Sequence, residues 1–173
     1  MRMFKRIMGA AAVALAMLAG NAAFAQGLNI DIVNGTASAL PIAVVPFGFE
    51  GASVPPETNP GEIVRADLAR SGQFRTLPKN DIVEFPTRQA VVKFATWRLL
   101  KQDYLVVGRM SDAGGGELRV EYELFDVARQ QRIADGAISG QRSSLRDIAH
   151  QVADIVYEKI TGVRGAFWTR IAY

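Results

Sequence analysis

Residues 40–47 read Leu40-Pro41-Ile42-Ala43-Val44-Val45-Pro46-Phe47, eight positions without a charge or a hydrogen-bonding side chain. A half-buried strand alternates apolar and polar residues, whereas a continuous apolar run of this length is a strand covered on both faces. Covering both faces needs helices, and the next segment supplies one. Asn59 stands at an N-cap, Pro60 at N1 and Glu62 at N3; Ile63, Val64 and Leu68 form an inward stripe, and Ser71-Gly72 stops the helix. A buried strand followed by a capped helix is the start of an α/β layered domain.

Further along, Phe74–Leu77 reads as a short strand and 78–86 as loop, with a second helix over Arg88–Lys101 whose Val92, Ala95 and Leu99 share one side. Tyr104-Leu105-Val106-Val107-Gly108 is another apolar strand, and Asp112–Gly116, with three consecutive glycines, is a hairpin tip. Beyond it Leu118, Val120, Tyr122 and Leu124 alternate with Glu117, Arg119, Glu121 and Glu123, so one face of that strand meets water. Ile133–Ser139 follows as a strand. The last helix is capped by Ser144 with Asp147 at N3, and its Leu145, Ile148, Ala149, Val152, Ile155, Val156 and Ile160 keep helical spacing until Gly162. The segment 165–173, rich in apolar residues, reads as the opening strand of a further unit.

The first 25 residues stand apart. Arg2, Lys5 and Arg6 precede the apolar run Ile7–Leu18, and Ala23-Phe24-Ala25 places small residues before Gln26. A cationic start, a short apolar stretch and a small-x-small site are the parts of a secretory signal peptide, and the run is too short to span ~30 Å of hydrocarbon. This leader holds all of the net charge of +3; the remaining 17 basic residues balance 17 acidic ones. A neutral body excludes the basic field of a nucleic-acid binder. The absence of Cys excludes disulfides, thiolate metal sites and Cys nucleophiles, and a lone His150 leaves little scope for a His-built metal centre. An exported, cysteine-free chain suits a bacterial periplasm.

Three constellations could carry chemistry. Gly114–Gly116 is followed by a strand and by no Lys-Ser/Thr, so it reads as a turn and not as a phosphate cradle. Glu121 and Glu123 project from one strand face at ~6–7 Å, within the range of glycosidase carboxylates; a solvated sheet face is the plainer reading, with a small secreted hydrolase as the alternative. His150 could act on Ser143 or Ser144, yet it sits off the apolar stripe, and the serines serve as caps; it reads as a solvent-exposed histidine. Trp97, Trp168 and the phenylalanines read as core. A solute-binding domain would need a deep polar pocket, for which no charge cluster speaks. No catalytic residue, metal ligand or cofactor site emerges. One segment does invite a functional reading: Leu28, Ile30 and Ile32 alternate with Asn29 and Asp31 directly after the cleavage point. A terminal strand frays easily and can pair with the edge of another protein's sheet.

These residues resemble the TolB family, the periplasmic component of the bacterial Tol–Pal system. The likeness runs over the whole mature chain, in Pro41–Phe47, in Ile63–Phe74 (IVRADLARSGQF), in Tyr104–Gly108 and most specifically in Tyr157–Tyr173 (YEKITGVRGAFWTRIAY). It implies an α/β fold, a mixed β-sheet packed with two to three helices over residues 26–162, then a linker and the first strand of a missing β-propeller over 163–173. It implies no catalysis and no cofactor. It further implies that the mature N-terminus binds the inner-membrane protein TolA, while the Pal lipoprotein is bound by the propeller, hence by no residue here. The contact residues would be Gln26, Gly27, Leu28, Asn29, Ile30, Asp31, Ile32 and Val33, with Leu28, Ile30 and Ile32 as apolar anchors and Asp31 adjusting charge complementarity. The family couples the two membranes during division and keeps the outer membrane intact.

Overall fold

The run at residues 40–47 supplies an interior strand of the sheet. In the computed structural model, which describes residues 39–169, strand β1 (Leu40–Val44) lies between two parallel neighbours, β3 (Phe74–Thr76) and β4 (Tyr104–Gly114). Its side chains alternate between two cores: Ile42 and Val44 point one way, Ala43 and Val45 the other, and all four are buried. Beyond β4 the sheet turns antiparallel through β5 (Glu117–Asp126) and β6 (Gln131–Gln141). The order is β3-β1-β4-β5-β6, with the two-residue β2 (Gly48–Phe49) beside β4. This is the expected mixed sheet, packed among the described residues with three helices: α1 (Pro60–Arg70), α2 (Phe94–Leu99) and α3 (Leu145–Thr161).

Helices α1 and α3 cover the first face. Ile63, Val64 and Leu68 of α1 and Leu145, Ile148, Ala149, Val152 and Val156 of α3 meet Val106 and Met110 of β4 and the even-numbered apolar residues of β5. The start of α1 is tied to the exit of β1 by one side chain. Asn59 Oδ1 accepts from Gly61 N–H (2.9 Å), as an N-cap does, and from Phe47 N–H (2.8 Å), while Asn59 Nδ2 donates to Phe47 O (2.8 Å). Glu62 pairs with Arg65 (2.6 Å) and Lys79 (3.3 Å).

The second face is divided. Its near half is apolar, with Trp97, fully buried, over Ala43, Val45, Leu105, Val107, Phe125 and Val127. The helix that carries Trp97 is shorter than the spacing predicts. A 3-10 turn (Gln89–Val91) stands where the first turn was expected, and α2 begins only at Phe94. Of Val92, Ala95 and Leu99 only Val92 packs against this core; Ala95 is exposed, Leu99 is 84% exposed, and the buried residue is Trp97. One bulky indole fills a site that the periodic rule assigns to several aliphatics. The expectation of uniformly buried aromatics also fails at Phe85 and Trp168, both mostly exposed.

The hairpin forms at Gly115-Gly116, both at positive φ. Ser144 occupies the N-cap of α3 but makes no side-chain capping bond, because a 3-10 turn over Arg142–Ser144 feeds directly into the helix. At the other end Gly162 takes the left-handed conformation expected of it.

Candidate partner-binding site

The segment expected to bind a partner, Gln26–Val33, lies outside the described residues. What the fold does define is where an additional strand could go. β1 is flanked by β3 and β4, β4 by β1 and β5, and β5 by β4 and β6. Among the described residues every interior position is filled, and the margins are the three-residue β3, the short β2 and the eleven-residue β6. Arg132 and Asp135 on β6, with a register shift opposite Leu124 and Phe125, are the charges and irregularity that keep edge strands from random pairing.

The far half of the second face carries the sequence-derived chemical candidates. Glu121 and Glu123 do share a face of β5, as strand geometry requires, but they are not freely solvated; their side chains are 23% and 13% exposed. Arg109 on β4 lies between them, paired with Glu121 and 3.7 Å from Glu123. Arg119 holds Glu121 at 2.9 Å, Arg132 reaches Glu123 at 3.8 Å, and Gln89 N–H donates to Glu123 (3.1 Å). Glu50, itself paired with Arg88, lies 3.8 Å from Arg109 and extends the lattice. A glycosidase pair needs open space between its carboxylates for a sugar or a water. Here a guanidinium fills that space, and the arrangement cross-links strands.

His150 was expected in solvent. Its side chain is only 18% exposed, and Nδ1–H donates to Asp67 Oδ2 on α1 at 2.6 Å. Asp67 is buried and also accepts from Arg70 (2.5 Å), so the three residues clasp α1 to α3. The imidazole thus faces Asp67 across the helix pair, and Ser143 and Ser144 stand in the 3-10 turn before α3. No serine-histidine arrangement forms. Asp67 was missed in the sequence although the signal was present: it falls on the inward stripe Ile63, Val64, Asp67, Leu68.

A groove of about 460 Å³ lies between Val54–Thr58 and the start of α3, lined in part by Arg142, Ser143 and Arg146. Among the described residues no three His, Asp or Glu side chains are placed to hold a metal, and no helix is long and apolar enough to cross a membrane.

The fold is that of an α/β layered domain with a mixed sheet, and the arginines that take up Glu121 and Glu123 cross-link its strands. The comparisons place it further. A family model described as the TolB amino-terminal domain matches residues 28–133. The Tol-Pal system protein TolB of Xanthomonas oryzae pv. oryzae is 61% identical over 148 residues, which cover 86% of this chain and 34% of that protein. Its counterpart in Xanthomonas campestris pv. campestris is 59% identical over 160 residues, 91% of this chain and 36% of that protein. The crystal structure of TolB from Acinetobacter baumannii superposes with a TM-score of 0.63 at 28% identity, over 75% of this chain and 30% of that one. The chain belongs to the TolB amino-terminal domain family, whose members are components of the Tol–Pal system and not enzymes. It spans about a third of the length of the curated relatives it matches.

Proposed function

We propose that this chain is a periplasmic docking domain of the Tol–Pal machinery, and that residues Gln26–Val33 are its contact with the inner-membrane protein TolA. The observation that carries this reading is membership of the TolB amino-terminal domain family, with the matched region beginning at Leu28. Two features support the mechanism. The alternation Leu28, Ile30, Ile32 suits a strand that buries one face on a partner. The sheet already has every interior position occupied, so this segment has no place between two described strands. Main-chain pairing with TolA would supply affinity, and the three aliphatic side chains would supply register. Pal would be bound by a β-propeller following this domain. Together the contacts would couple the inner and outer membranes, maintaining envelope integrity and drawing in the outer membrane during division.

The test is titration calorimetry of the mature chain against the TolA C-terminal domain, with and without residues 26–33. The deletion should abolish binding while the remaining domain still melts cooperatively. Unchanged affinity would overturn the site assignment. Retention of Pal by the mature chain alone would overturn the division of partners.

A further inference from the structure

We infer that Asp154 is a positioning residue that clamps the outgoing chain onto α3, so that whatever follows Thr169 leaves the domain in one fixed direction. Helix α3 ends at Thr161, and the chain then doubles back along it. Asp154, two turns from that end, spreads its carboxylate over two consecutive amides: Phe167 N–H donates to Oδ1 at 2.7 Å and Trp168 N–H to Oδ2 at 3.1 Å. Hydrogen bonds to an ionised acceptor are among the stronger ones available to a protein.

Three further contacts point the same way. Gly165 passes so close that a Cβ there would stand 2.4 Å from Asp154 Oδ1 and 2.6 Å from Asp154 Cα, so only glycine fits. The Phe167 ring meets Tyr157 edge-on at 5.6 Å, and Tyr157 meets Phe74 of the edge strand β3 at 5.9 Å, an aromatic ladder from the outgoing chain to the sheet. Thr169 Oγ1–H donates to Ala166 O (2.9 Å) and closes the turn. A tail held at one point could pivot about it. Two adjacent amides held by the two oxygens of one carboxylate, with the Phe167 ring seated on Tyr157, restrict two successive peptide planes at once. This inference stands apart from the proposed partner contacts, which lie at the opposite end of the sequence.

The experiment is residue-resolved amide hydrogen exchange by NMR on the full chain, comparing it with Asp154→Ala, Asp154→Asn and Gly165→Ala. In the parent, the Phe167 and Trp168 amides should be protected. Asp154→Ala and Gly165→Ala should each speed their exchange about tenfold or more, while Val106 and Val120 in the sheet keep their rates. Asp154→Asn, which keeps one acceptor, should free one amide more than the other, and it serves as the readout if the alanine variant does not fold. Unprotected Phe167 and Trp168 amides in the parent would overturn the inference. So would an Asp154 variant that accelerates exchange equally throughout the sheet, since the carboxylate would then support the fold and not the exit.

Discussion

Replacing Asp67 with alanine tests the clasp between the two helices that roof the sheet. The carboxylate is buried and accepts from two cations or donors of very different standing. Arg70 is 71% exposed, so its ion pair is screened and contributes roughly 0–0.5 kcal/mol. The His150 bond is half-buried and short, and a hydrogen bond to a charged group contributes about 1.5–3 kcal/mol. Its loss also strands a ring N–H between α1 and α3. Removing the carboxylate relieves some desolvation, which offsets part of that. The expected net cost is about 2–3 kcal/mol, and for a domain near this size that lowers Tm by roughly 4–12 °C. Urea denaturation of Asp67→Ala, His150→Ala and the double variant separates the contributions: coupling of about 1–2 kcal/mol between the two sites is expected. Arg70→Ala should cost less than about 0.5 kcal/mol. An Asp67→Ala variant as stable as the parent, or additive single effects, would refute the reasoning.

Other outcomes follow from the same structure. Trp97→Ala removes the largest fully buried side chain and should cost about 3–5 kcal/mol by denaturant melting, whereas Leu99→Ala, two residues on, should stay within about 0.5 kcal/mol. Burial pushes the Glu62 carboxyl up from 4.5, but its bonds to Arg65 and Lys79 outweigh this and leave it below its ordinary value. Its contribution is therefore complete above the ordinary carboxylate range and is lost as pH falls through the lowered value, so the stability gap between parent and Glu62→Gln should be present at pH 7 and shrink in acid. A gap that widened on acidification would contradict this. Burial, and secondarily Asp135, raises the Tyr122 phenol above 10.0; its contribution is complete below that value and fades as pH climbs through the raised one. Ultraviolet titration should show a late-ionising tyrosine component, and Tyr122→Phe should remove it.

How much of this was legible beforehand varies with the physics of each element. β1 could be read from its apolar run, because a run this short that contains Pro41 and Pro46 suits a strand buried on both faces better than a helix. α1 could be read from Asn59, Pro60 and Gly72, whose roles are local. α2 was legible only in part: a helix was expected over Arg88–Lys101, but its late start and its inward face depend on an indole docking across the sheet, a contact between residues far apart in sequence that no periodicity encodes. The acidic residues of β5 were found but misjudged, since two of the three arginines that engage them, Arg109 and Arg132, come from β4 and β6. His150 was misjudged for the same reason: its partner lies 83 positions away. Asp154 left no signal, because a carboxylate on a half-exposed helix face looks like any other until the returning chain is seen. The segment 26–33, which lies outside the described residues, rests on its alternation and on the family.

Binding of Gln26–Val33 through its main chain can be read position by position in an N-methyl scan of a synthetic peptide of these eight residues, titrated into the TolA C-terminal domain. A strand added to a sheet edge directs alternate amides toward its partner. Methylation should therefore weaken binding about tenfold or more at every second position, roughly 1.4 kcal/mol each, and leave the intervening positions nearly unchanged. Uniform losses along the peptide, or none at any position, would contradict strand capture.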